Sequence, residues 1–345
     1  MKTVDVVIPT YKPTEKLKKI ITLLENQTYP VQKIILINTE RKYFDHFFYA
    51  TGFLEQYKNI IVRHISKYEF DHGATRRLGV SLSDADYFVC MTDDAVPLDE
   101  QLIEKLLAYH KEEKVAVSYA RQCAPKKCGE IERFSRRFNY PSTSRIKSLQ
   151  DLPELGIKTY FCSDVCAMYN RAIYEELGGF VKRAIFNEDM LFAARAMDAG
   201  YRIAYAADAK VKHFHKYTNI AQLRRNFDNG VSQAMHPEVF KKVPATSEGK
   251  KLVRETANHL KEKGKGKMIP GLYVTSAYKY IGFTLGKNYK KLPRWLIKKC
   301  TASPIFFDKQ GEDEVRIDPN FGYGRSRRED EWSQNRITRK NKKAN

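Results

Sequence analysis

Three clusters of titratable side chains lie at places where they could do chemistry. Asp93-Asp94 follows the apolar run Tyr87-Phe88-Val89-Cys90-Met91. Two carboxylates there suit oxygen ligation of Mg2+ or Mn2+ bridging a diphosphate, or a hydrogen bond to a ribose hydroxyl. Asp is equally at home in a solvated turn or at a helix N-cap. Asn187-Glu188-Asp189 opens a helical stretch that contains Arg195. The dipole of a helix start keeps a carboxylate ionised, which suits a general base taking a proton from a hydroxyl; simple capping is the alternative role. His213-Phe214-His215 puts two imidazoles on one side of an extended segment, because side chains alternate along a strand. Such a pair can complete a metal's coordination, bind phosphate, or be two structural histidines. Arg76 and Arg77 follow Asp71-His72-Gly73-Ala74-Thr75 and offer planar guanidinium forks for phosphate or base edges, or charge for a helix surface.

The elements that must position these residues read as an α/β fold. Val4–Ile8, Lys33–Ile37, Ile60–Ile65 and Tyr87–Met91 are short β-branched or aromatic runs that predict buried strands, and Val115–Val117 is a fifth. Leu17, Ile20, Ile21 and Leu24 recur at helical spacing, and helices are also predicted over Thr75–Leu82 and Leu102–His110. Strands alternating with helices through short connections imply a mostly parallel sheet covered on both faces. Ligands bind such sheets beyond the strands' carboxyl ends, where Pro9-Thr10-Tyr11, Asn38 to Glu40, and Asp93-Asp94 all fall. Cys123 to Pro153 is polar, basic and aperiodic and reads as a long loop. Tyr160–Tyr169 reads as a strand, Arg171–Leu177 and Asp189–Ala199 as helices, and Ile203–Ala206 and Val211–His215 as two more strands. From Leu223 the pattern is helical, and the charged tail from Arg325 is expected to be disordered.

Composition narrows the class. At 345 residues the chain accommodates one large domain or two smaller ones. No run near 18 apolar residues is free of charges, and Asp5 and Pro9 interrupt any N-terminal leader, so the chain is expected on the cytosolic side. The six cysteines are expected as thiols. Cys123/Cys128 and Cys162/Cys166 are spaced too loosely for the usual zinc knuckle, which favours buried thiols over a four-thiolate site. The formal charge is +20, and residues 250–345 hold 24 Lys and Arg against 10 Asp and Glu. That asymmetry points to a polyanionic surface facing the C-terminal part. Gly282-Phe283-Thr284-Leu285-Gly286-Lys287 lacks the spacing and the Ser/Thr of a phosphate loop, and no G-x-G-x-x-G follows the first strand.

The order of these motifs is more specific than any one of them. Pro9-Thr10-Tyr11, an acidic residue after the second strand, Gly73…Arg76…Gly79, Asp93-Asp94-Ala95, and Gly178-Gly179-Phe180…Glu188-Asp189…Arg195…Gly200 together resemble the inverting family 2 glycosyltransferases of the GT-A fold across residues 1–230. Glu69-Phe70-Asp71-His72-Gly73-Ala74-Thr75-Arg76, Thr92-Asp93-Asp94-Ala95-Val96-Pro97, His213-Phe214-His215-Lys216-Tyr217-Thr218 and Phe227-Asp228-Asn229-Gly230 are most similar to bacterial rhamnosyltransferases. The resemblance implies a dTDP-L-rhamnose donor, an Mn2+ or Mg2+ cofactor, and attack by an acceptor hydroxyl with inversion.

Carried over residue by residue, the resemblance puts Pro9, Thr10 and Tyr11 at the base pocket and lets Glu40 accept from the pyrimidine N3–H. His72, Arg76, Asp93 and Asp164 count among the donor-binding residues, and Asp94, with His215 more than His213, as metal ligands. Asp189 becomes the general base, with Glu188 beside it. The chain departs from the family pattern with Asp-Asp-Ala for Asp-x-Asp, Glu40 for Asp, and Arg77 for Asn. A UDP-hexose donor is the alternative within the family. Residues 231–300 are expected to form a basic helical region and 301–345 a charged tail. Tyr273, Tyr278, Tyr280, Phe283, Tyr289 and Trp295 interleave with Lys in a way that also suits single-stranded nucleic acid, but no nucleic-acid motif accompanies them. An anionic membrane carrying a lipid-linked saccharide acceptor is the expected partner, which would place the chain peripherally on the inner face of the plasma membrane; a homo-oligomer interface is the other use of the same residues.

Overall fold

The computed structural model describes residues 1–309 except positions 50, 126, 242, 244 and 245. The tail from Arg325 therefore lies outside the described residues, as does most of the expected 301–345 segment. Nine strands form one sheet: β1 (Val4–Tyr11), β2 (Lys33–Thr39), β3 (Ile60–Ile65), β4 (Tyr87–Met91), β5 (Val96–Pro97), β6 (Val115–Cys123), β7 (Arg145–Lys147), β8 (Cys166–Asn170) and β9 (Arg202–Lys212). Their order is β3-β2-β1-β4-β8-β6-β9-β5, with β7 also on β9. Strands β3, β2, β1 and β4 pair in parallel, and so do β6 and β9; β8 runs antiparallel between β4 and β6. The result is a mostly parallel sheet flanked by helices, a GT-A-like fold.

Alternation along β1 explains the two-sided core. Val4, Val6 and Ile8 pack on Leu17, Ile20, Ile21 and Leu24 of helix Glu15–Glu25, while Val7 faces Val80 and Phe88 on the other side. Gly79 lets helix His72–Ser81 lie close over the sheet, since a Cβ there would strike the Val7 side chain.

The direction of β8 decides what the site contains. Because β8 runs against β4, the segment Ser163-Asp164-Val165 enters the sheet where β4 leaves it, and the Thr92 N–H donates to the Val165 carbonyl at 3.2 Å. Three expectations change here. Residues 160–165 are not strand, and the strand begins at Cys166. The two short strands expected at 203–206 and 211–215 are one strand that stops at Lys212. The expected loop 123–153 carries helix Glu130–Asn139 and β7, and β6 continues six residues past Val117.

Between residues 219 and 309 the described chain is mostly helical. Helix Asn219–Met235 lies against helix Ile269–Lys287 through Gly230, Gly282 and Gly286, where an added Cβ would meet the carbonyl oxygens of Phe283, Leu223 and Phe227. Residue 230, expected as the edge of the nucleotide-binding region, falls inside the first of these helices. Helices Arg294–Cys300 and Pro304–Asp308 add Ile297, Cys300 and Phe307 to a small core with Ile185, Phe227 and Val231. Among the described residues no helix is long and apolar enough to cross a membrane.

Candidate active site

The carboxyl ends of β1 and β4 bring together the first pair of expected residues. Thr10 Oγ1 donates to Asp93 Oδ2 at 2.7 Å, and burial raises the Asp93 pKa while Thr10 opposes the rise. Next to it, Asp94 meets the histidines that follow β9. His213 Nε2 lies 3.4 Å from Asp94 Oδ1, His215 Nε2 3.0 Å from Asp94 Oδ2, and the two imidazole nitrogens 3.0 Å from each other. This is the one group of three or more metal-competent side chains found among the described residues.

These three residues fit a divalent cation. Two ligand atoms at right angles and about 2.0–2.1 Å from one ion stand ~3 Å apart, close to the separations observed. Asp94 Oδ2 is buried and has no aligned hydrogen-bond donor. His213 Nδ1 is already engaged, 2.9 Å from Gln122 Oε1, so Nε2 is the ring nitrogen turned toward Asp94 and His215.

A second group is built on helices His72–Ser81 and Glu188–Asp198. Asp71 caps the first, accepting from the amides of Gly73 and Ala74 at 2.9 and 3.0 Å, and also accepts from the Ala184 N–H. One carboxylate thus pins the loop that precedes Glu188 onto the helix that carries Arg76. Arg76 is buried between acids, with Nε 2.8 Å from Asp164 Oδ2 and Nη1 3.0 Å from Glu188 Oε1. Burial alone would lower the Arg76 pKa; Glu188 and Asp164 reverse that and raise it.

Asp189 is the carboxylate left over. Its Oδ2 accepts from the Asp164 N–H at 3.1 Å and its Oδ1 from the Met190 N–H at 2.7 Å. Burial, then the charges of Glu188 and Asp164, push its pKa well above the ordinary Asp value. Asp164 itself is raised to about 7, chiefly by burial. Glu188 moves the other way: burial raises it, but Arg76, with His72 and Arg225 behind it, outweighs the rise and lowers it. Neighbouring carboxylates are thus driven apart in basicity, the pattern that separates an acid–base group from a structural one.

The remaining expected residues spread along the same edge. Tyr11 is exposed, with its ring edge-on to Tyr43 at 5.6 Å. Glu40 adopts a left-handed backbone at φ 65° and accepts from the Lys67 N–H at 2.8 Å, while Pro9 is half-buried at the end of β1. His72 packs between Phe70 and Phe186, and burial pushes its pKa down to about 4. Arg77 donates to the carbonyls of Gly178 and Phe180 at 2.7 and 2.8 Å, bracing the Gly178-Gly179 turn, where both residues have positive φ. Arg195 also donates to the Gly179 carbonyl.

Ser163, Gln122, Tyr140 and Arg136 join the two groups and were not singled out from sequence. Gln122 Nε2 donates to Ser163 Oγ at 2.9 Å, and Ser163 precedes the Asp164 amide that holds Asp189. The carboxyl-edge rule that marks Asp93-Asp94 would have marked Gln122 had β6 been read to its end at Cys123. A cavity of about 410 Å3, walled by Tyr119, Phe138, Phe161 and Tyr205, includes none of the expected site residues. Five of the six cysteines are buried and Cys123 is half-buried; all six are free thiols.

Residues 5–178 match the profile of Glycosyl transferase family 2. The chain is 35% identical over 292 residues to an O-antigen chain rhamnosyltransferase of Salmonella typhimurium, covering 84% of this chain and 91% of that one. It is 34% identical over 296 residues to an O-antigen chain rhamnosyltransferase of Salmonella anatum, covering 85% and 92%. Among solved structures, a mannosyltransferase from Pyrobaculum calidifontis in complex with GDP-Man and Mn2+ superposes with a TM-score of 0.50 at 13% identity, over 89% of this chain and 86% of that one. At that identity the likeness concerns the fold.

Proposed function

The chain belongs to glycosyl transferase family 2 and is a glycosyltransferase; from that premise we propose that it moves L-rhamnose from dTDP-L-rhamnose to a hydroxyl of a lipid-linked saccharide, with inversion at the anomeric carbon. The identity to O-antigen rhamnosyltransferases over more than nine-tenths of their length is the observation that carries the choice of sugar.

Asp94, His213 and His215 would hold the divalent cation, Mn2+ or Mg2+. When bound, that ion supplies charge neutralisation for the departing diphosphate. Thr10 fixes Asp93, which faces the ribose, and Pro9, Tyr11 and Glu40 line the base pocket. Asp189 takes the proton from the acceptor hydroxyl as its oxygen bonds to the anomeric carbon and the bond to the diphosphate breaks, the electron pair leaving with the diphosphate. Its raised pKa makes it a stronger base than a free Asp. Glu188 and Asp164 neutralise Arg76 from two sides and keep Asp189 in a field of negative charge; Arg76 and His72 support the donor by holding the floor beneath it.

The basic helical region supports docking on an anionic membrane. Tyr273, Val274, Tyr280 and Ile281 of helix Ile269–Lys287 are exposed, as is Trp295, and Lys267, Lys287, Lys290 and Lys291 lie beside them in sequence. Purified protein offered dTDP-rhamnose, UDP-glucose, UDP-galactose and UDP-N-acetylglucosamine separates the donor readings. Turnover confined to a UDP-sugar would overturn the rhamnose assignment. Equal co-sedimentation with anionic and zwitterionic vesicles would overturn the docking surface.

A further inference from the structure

Gln122 stands at the end of β6, is 4% exposed, and uses both ends of its amide. Its Oε1 accepts from Arg136 and lies 2.9 Å from His213 Nδ1; its Nε2 donates to Tyr140 Oη at 2.5 Å and Ser163 Oγ at 2.9 Å. A guanidinium donates and never accepts, so the amide atom facing Arg136 must be the oxygen. That single fact orients the group. The oxygen then requires a proton on His213 Nδ1, and a neutral imidazole with its proton there has a bare lone pair on Nε2.

We infer that Gln122 is a positioning residue that holds His213 as the Nδ1–H tautomer, leaving Nε2 to ligate a divalent cation together with Asp94 and His215. The inference rests on the cation reading above and adds to it a residue that touches no ligand. The strand pairing supports the geometry: Gln122 is in register with Val211 and Cys123 with Lys212, and the His213 N–H donates to the Cys123 carbonyl at 3.2 Å. The histidine backbone and its ring are therefore held by consecutive residues of one strand. Arg136 and Tyr140 are presented by helix Glu130–Asn139 and the residue that follows it, so this helix acts on the cation site through Gln122.

Two measurements on the full chain test this. The 15N chemical shifts of the His213 ring in metal-free protein report which nitrogen carries the proton. Electron paramagnetic resonance of free Mn2+ gives the affinity of wild type, Gln122→Leu and Gln122→Glu. The Nδ1–H tautomer is expected. Gln122→Leu removes the acceptor and should bind Mn2+ roughly 10–100-fold more weakly. Gln122→Glu still accepts from His213 and Arg136 and should bind at least as tightly as wild type, which a purely structural role for the amide would not produce. If Gln122→Leu does not fold, the tautomer and the Glu variant still decide. An Nε2–H tautomer, or equal Mn2+ affinity in wild type and Gln122→Leu, overturns the role of Gln122. Failure of wild type to bind Mn2+ overturns the cation reading instead.

Discussion

Asp189→Asn separates the chemistry of the site from its stability. General base catalysis is typically worth ~10²–10⁴-fold, or about 3–5 kcal/mol of barrier, and the substitution removes the base while keeping the side chain's shape. Its effect on folding has the opposite sign. Asp189 is raised well above its ordinary pKa by burial, Glu188 and Asp164, so the fold prefers the protonated form. Stability linked to this group is fully present below the unfolded pKa and is lost as pH rises through the folded one. At neutral pH the wild-type carboxylate is therefore a burden, and a neutral Asn relieves it. The amide oxygen can still accept the Asp164 or the Met190 N–H, which Asp189 now holds at 3.1 and 2.7 Å. The expected outcome is a fall of ~10²–10⁴-fold in turnover, read by donor consumption with a lipid-linked saccharide acceptor, together with a melting temperature at or above wild type. Near-normal turnover would refute the base assignment. Lost turnover accompanied by a lower melting temperature would refute the electrostatic reasoning.

The same shift sets the pH profile: log kcat/KM should rise with pH along an acidic limb above the usual Asp range, and a limb near the ordinary Asp value would contradict it. Arg76→Met leaves Asp164 and Glu188 buried without their partner, and should lower unfolding stability in urea by about 3–5 kcal/mol at neutral pH. Arg76 holds the Glu188 pKa below its usual value, so that gap should narrow as pH falls below the ordinary Glu range. Gly286→Ala drives a methyl into the Phe227 carbonyl and should destabilise the chain by about 1–3 kcal/mol, which differential scanning calorimetry would detect. Chelation should abolish turnover, with recovery on adding Mn2+ or Mg2+.

The parts of the fold visible in the sequence are those with a strong local period. Helix Glu15–Glu25 buries the four residues its spacing marks, and β3 and β4 begin and end where their apolar runs do. Asp93-Asp94 and His213-Phe214-His215 were legible as clusters because each is contiguous, although their meeting depends on β5 pairing with β9, which sets Val96 opposite Lys212. The stretch 123–153 was not legible. Helix Glu130–Asn139 does space Ile131, Phe134 and Phe138 at helical intervals, but it has no fully buried residue and Arg133, Arg136 and Arg137 surround that stripe with charge, which masked it. The same polarity hid Arg136 and Tyr140, and with them the network around Gln122. Residues 160–165 look like strand by composition, but Lys147 Nζ donates to the Phe161 carbonyl and Asp164 turns to Arg76, so their groups are used outside the ladder. Arg76 stands out in the sequence by its motif; its burial between two acids is a tertiary fact that no spacing reveals.

The account turns on Asp94, His213 and His215 holding a cation that in turn holds a nucleoside diphosphate. Calorimetric titration of dTDP into wild type and Asp94→Asn, each with and without Mn2+, tests that claim most directly. Binding that requires Mn2+ in wild type and is lost in Asp94→Asn is the predicted result. Equal affinity in both proteins, or binding indifferent to Mn2+, would contradict it.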